Sequence, residues 1–123
     1  MKFKYAAALL LLVSVSLFGD DSVTPACKAD KRVVAACFKV HGRLSNWNGN
    51  PTRRIWIIGT KRVLGIREDT ALPLALTSRK ADFDNVETAE FEVCPLTRER
   101  KGWMQIVCVA SVSDVRMSKR NSQ

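Results

Sequence analysis

His41 is the only histidine, and Cys37 lies four residues before it on the same side of an alternating run. A cysteine nucleophile needs its histidine within hydrogen-bond reach. Four extended residues separate the two by about 13 Å. Neither a Cys–His pair nor a shared zinc site is expected from them. Glu90 and Glu92 alternate on one strand face, with Asp84 and Glu87 upstream. Paired carboxylates do glycosidase work when their environments differ, and here nothing buries either of them. Asp82 and Asp84 form a short acidic loop without the ligand spacing of an EF-hand. No phosphate loop, nucleophile elbow or His-Glu-x-x-His helix occurs. The expectation is a non-enzyme with no cofactor and no metal.

Aromatics interleave with bases more suggestively. Trp47 follows Arg43, Trp56 follows Arg54, and Trp103 follows Arg100 and Lys101. Between Lys31 and Arg67 there are nine basic residues and no acidic one. Eight acidic residues against three basic ones then fill Glu68 to Glu99. The two halves either pair with each other or leave a positive face for an anionic partner. Trp47 sits in an amide-rich turn suited to stacking on a sugar or peptide, whereas Trp56 and Trp103 read as framework. The candidate ligand-binding residues are therefore Trp47, Asn48, Arg53, Arg54, Lys61 and Arg62.

These residues need strands to hold them. Phe38–Leu44 alternates apolar and polar positions, as a half-buried antiparallel strand does. A turn follows, marked by Asn48-Gly49 and Pro51. Residues 52–58 and 61–67 read as two further strands about Gly59-Thr60. Residues 68–88 are irregular, with one helical turn or a loop around Leu72-Pro73-Leu74. Residues 89–95 alternate again, 97–102 form a charged connection, and 103–112 are the most β-rich run. The fold expected is all-β, a small antiparallel β-sandwich of about seven strands.

The first nineteen residues set the context. Lys2 and Lys4 precede an uncharged apolar run, and a Ser/Val stretch and Gly19 follow it. This is the order of a secretory signal peptide, and the run is too short to remain as a membrane span. The division expected is a signal peptide at 1–19, an N-terminal segment at 20–36, a sandwich domain at 37–115 and a polar tail at 116–123. Removing Lys2 and Lys4 leaves 18 basic against 12 acidic residues. The exported chain is still strongly basic. Thr24-Pro25-Ala26 before Cys27 has the outline of a lipid-anchor site. The apolar run ends too early for it, and Thr is a poor substitute for the usual Leu.

All four cysteines, Cys27, Cys37, Cys94 and Cys108, follow that leader. An even count in a short exported chain points to disulfides, with three connectivities open. Cys94 and Cys108 stand at equal steps from the charged turn near Arg100–Lys101. A cross-strand bridge between them is therefore expected, with Cys27–Cys37 by elimination.

Several stretches also carry a resemblance: Cys37–Ser45, Asn48–Pro51, Arg54–Trp56, Gly59–Ile66 and Phe91–Leu96. Together they resemble a group of small exported bacterial proteins of unknown function. The order of parts is also similar to prealbumin-like domains of the carboxypeptidase regulatory type, which are seven-stranded sandwiches. The resemblance implies a periplasmic or extracellular sandwich and supplies no catalytic residue. The function expected is a non-catalytic binding module for an unknown protein or anionic envelope polymer, with no nucleic-acid partner. The alternatives are a secreted enzyme inhibitor using Thr97–Gly102 and an accessory subunit of an envelope assembly using an open sheet edge.

Overall fold

The computed structural model describes residues 22–77 and 83–120. The signal-peptide expectation at 1–19 and the Asp82 part of the acidic loop lie outside these residues. In chain order the elements are α1 (Pro25–Lys28), β1 (Phe38–Asn46), β2 (Arg53–Ile57), β3 (Val63–Ile66), α2 (Leu74–Thr77), β4 (Asn85–Pro95) and β5 (Gln105–Lys119). The all-β class holds. The arrangement does not: among the described residues five strands, not seven, close into a barrel in the order β1-β2-β3-β5-β4. Only β3 and β5 run parallel. A ring has no end strand, so the open edge expected for an accessory subunit is absent from it.

Alternation builds the barrel wall. Val40 and Leu44 on β1, Ile55 on β2, Leu64 and Ile66 on β3, Phe91 and Val93 on β4, and Val107 and Val109 on β5 point inward and form one core. Leu76 of α2 closes onto it. Gly42 also points inward. A Cβ there would come within 2.5 Å of the Ile55 side chain and 3.3 Å of Phe91. Its bare backbone leaves the centre of a narrow barrel to Phe91.

Outward positions at the joined ends of β4 and β5, Cys94, Cys108 and Ala110, are buried as well, and the N-terminal segment is the reason. Residues 22–37 cross that face and form a second core from Cys27, Cys94, Leu96, Cys108 and Ala110, with Val33 and Cys37 against it. Val112 N–H donates to Ser22 O and Thr24 N–H to Ala110 O, each at 2.8 Å. A strand covered on both sides reads as a continuous apolar run, which explains the β-rich sequence from residue 105 onward. The segment is thus part of the domain. The expected boundary at 116 also fails, because β5 runs on to Lys119, opposite Asn85. Ladder hydrogen bonds use the backbone and are indifferent to polar side chains.

The disulfides join Cys27 to Cys108 and Cys37 to Cys94, correcting the expected Cys94–Cys108 bridge. The register behind that expectation is right, since Cys94 and Cys108 are direct cross-strand partners. Both face outward, under the N-terminal segment. Each sulfur bonds to a cysteine of that covering segment, and Cys37 continues the β1–β4 register beside Cys94. Cys27, bonded to Cys108, has no thiol to acylate. No helix among the described residues is long and apolar enough to cross a membrane.

Candidate functional site

With the Cys94–Cys108 side of β4 and β5 covered, the outer face of β1, β2 and β3 is an open side of the wall. Register builds two rows there. Arg43, Trp56 and Val63 stand abreast, and Ser45, Arg54 and Gly65 form the next row. The Arg43 guanidinium lies 5.4 Å from the centroid of the Trp56 ring. Trp56 is fixed in turn by Nε1–H donation to Thr60 O at 2.7 Å.

The β1–β2 loop, residues 47–52, folds back over the second row. Trp47 Nε1–H donates to Ser45 Oγ at 2.9 Å, and Trp47 N–H to Thr52 O. Arg54 and Arg120 approach the Trp47 ring at 5.9 and 4.9 Å. Neither arginine floats. Arg54 Nε–H donates to Pro51 O at 2.9 Å, and Arg120 donates to Asn46 O. Trp47 is 47% exposed, so it packs against the wall and still faces solvent. Gly65 permits this seating. A Cβ there would come within 2.5 Å of Pro51, 2.8 Å of Met104 and 2.9 Å of Ile106. Any side chain at 65 would lift the loop off the barrel.

At the opposite end, the β2–β3 loop (58–62) meets the β4–β5 loop (96–104). Trp103 is 67% exposed and carries Arg100 over its ring at 4.7 Å. It is no framework residue. Arg62 lies over the Phe38 ring at 5.4 Å.

The six expected ligand residues therefore divide. Trp47, Asn48, Arg53 and Arg54 sit at one end of the barrel, and Lys61 and Arg62 at the other, with the length of β2, about 17 Å, between. Arg54 was expected beside Lys61 or Arg62 across the Gly59 turn. It stands opposite Gly65 instead, because the pairs about that turn begin with Trp56 and Val63. Sequence reading missed Arg43, Arg100, Trp103 and Arg120. The signal for Arg43 and Trp103 was present in the interleaving. Nothing local could bring Arg120, 73 residues away, onto Trp47.

Internal pairing accounts for part of the positive charge. Arg32 binds Asp30 and Asp69, Arg67 binds Asp69, and Arg62 approaches Glu99 at 3.9 Å. On β4, Glu90 takes His41, and Glu92 takes Lys28. Lys39, Arg43, Arg53, Arg54 and Lys61 have no carboxylate within 4.0 Å among the described residues. His41 is a surface histidine, and Cys37 is spent on its bridge.

The Arg32 network ties the N-terminal segment to the residues after β3. Its side chain, followed by its backbone N–H, holds the Asp30 carboxyl at about 2 rather than 3.8. Asp69 is lowered chiefly by Arg32, and Glu92 chiefly by Lys28. A depressed carboxylate contributes stability that is present above its unfolded value and lost as pH falls through the folded one. These groups should therefore leave stability flat above pH 5 and erode it from about pH 4 down towards 2. Carboxyl-detected NMR should place the Asp30 midpoint near 2 and move it towards 3.8 in Arg32→Ala. A wild-type midpoint at 3.8 would reject the network.

Comparison with protein-family models, curated proteins and solved structures finds no match to this chain.

Proposed function

We propose that the protein is an exported, non-catalytic binding module for an anionic polymer of the cell envelope. One observation carries the reading: a continuous track of indoles and guanidiniums across the open face. It runs from Trp103 past Val63 to Trp56 and Arg43, then through Arg54 to Trp47 and Arg120. All three tryptophans of the chain belong to it. Five guanidinium–aromatic contacts occur among the described residues, where roughly one per 70–80 residues is usual. Indole faces stack on sugar rings, and planar guanidiniums pair with carboxylates in two parallel hydrogen bonds. Five-stranded barrels of the OB type bind oligosaccharides and oligonucleotides on this side, although fold-level analogy weighs less than the residues themselves. Two disulfides and the leader-like first residues accord with export, as does the resemblance to small exported proteins.

Binding to polygalacturonate, measured by calorimetry at rising salt, tests this. Affinity should fall with salt, as screening requires. The Arg43→Glu, Arg54→Glu double variant should lose at least tenfold while its melting temperature stays within a few degrees. Unchanged affinity in that variant would overturn the reading. The same track favours one other occupant, a single-stranded nucleic acid, because every base has a π-face. Preference for an oligonucleotide over polygalacturonate at equal salt would transfer the assignment to it.

A further inference from the structure

At the Trp103 end of the track lies a cavity of about 480 Å³ between the β2–β3 and β4–β5 loops. Arg62, Val63, Arg100, Lys101, Trp103 and Gln105 line it, with Glu99 as the one acidic group. Its central cation is fixed in advance. Arg62 Nη2–H donates to Gln105 Oε1, its backbone N–H to Thr60 Oγ1 at 3.0 Å, and its guanidinium rests over Phe38. Gln105 is only 7% exposed and is held by donation from Nε2 to Thr97 O at 3.1 Å. The amide is thus spent on orienting Arg62 and is not available to a ligand. Only Nη2 of Arg62 finds an acceptor among the described residues. Nε and Nη1 are left for an incoming oxygen.

The remaining walls say what kind of anion fits. Lys101 and Arg100 add two cations, and Glu99, 3.9 Å from Arg62, removes one charge. The lining then carries a net charge of +2, enough for an anion of one or two charges, so the choice falls to the uncharged walls. Trp103 and Val63 form an apolar wall beside the cations, and a bare ion would leave that wall wet. A ring bearing a carboxylate covers both.

We propose that this cavity is a subsite for one acidic sugar residue, with its carboxylate on Arg62 and Lys101 and its ring on the Trp103 indole. Gln105 is a positioning residue that acts through Arg62. The choice of a sugar rests on the anionic-polymer reading, whereas the location rests on the cavity alone.

Titration of the ¹⁵N-labelled full chain with galacturonic acid, galactose, inorganic phosphate and adenosine monophosphate tests it, read at the three indole N–H signals. Galacturonic acid should shift Trp103 before Trp47, with galactose at least tenfold weaker, as loss of a charged hydrogen bond requires. Lys101→Ala and Trp103→Ala, both on the exposed loop, should each weaken it about tenfold without changing the melting temperature. Galactose binding equally well, or Trp47 responding first, would overturn the proposal. So would phosphate alone reproducing the shifts, which marks a bare anion site. Tighter binding of adenosine monophosphate would also overturn it and favour a nucleotide. Galacturonic acid binding here, with polymer capture indifferent to Arg43→Glu and Arg54→Glu, would sink the track reading and leave the subsite standing.

Discussion

Replacing Cys27 and Cys108 together with serine is expected to cost about 3.5 kcal/mol of stability. The bridge spans 81 residues of sequence, nearly the whole described chain. The Cys37–Cys94 bridge stays intact inside that span, so the loop that is freed runs through 27–37 and 94–108, about 25 residues, and loop-closure entropy gives about 3.5 kcal/mol for it. Small domains hold only about 5–15 kcal/mol in total, so the variant should melt on the order of 20 °C lower. Denaturant titration of the variant measures the loss. A non-reducing peptide map should show Cys27 joined to Cys108 and Cys37 joined to Cys94. A map joining Cys94 to Cys108 would reject the pairing, and with it the stapling of the N-terminal segment onto the barrel.

Phe91→Ala should be comparably damaging. Its ring fills the middle of the barrel at 1% exposure, in the space Gly42 leaves. Removing a buried phenylalanine from a core that cannot collapse costs about 3–5 kcal/mol. A closed ring of strands resists collapse more than an open sheet, so the upper half of that range is expected. Trp103→Ala is the control. It removes a larger side chain, yet one that is mostly in water, and should change stability by less than about 0.5 kcal/mol. Urea midpoints for the two variants decide the matter. Equal losses would mean that Trp103 is framework after all and that the exposed end of the track does not exist.

The identity of the strands was legible locally. Alternation at Phe38–Leu44, the Asn48-Gly49 turn and the pattern around Phe91 and Val93 each predict what is found, because period two is a property of neighbouring residues. The pairing of Cys94 with Cys108 in register was legible for the same reason. The charge contrast between the two halves was visible too, as was the interleaving of tryptophan with arginine. Local pattern does not say which strand lies beside which. Closure of five strands into a barrel depends on β1 meeting β4 and β3 meeting β5, contacts between residues roughly 40 to 55 apart in sequence. The N-terminal segment shows the cost of that gap most plainly. Nothing between residues 22 and 37 announces a covering layer, yet that layer takes both outward sulfurs and buries one side of the barrel. In doing so it leaves the β1–β3 face open. The track follows from the same non-local geometry: Arg43, Trp56 and Val63 come from three strands, and Arg120 reaches Trp47 from the far end of the chain. Sequence by itself determined a basic, cysteine-bearing β domain with tryptophans among its arginines. Tertiary structure decided which of those side chains share a surface, because register and closure are set by packing the whole core.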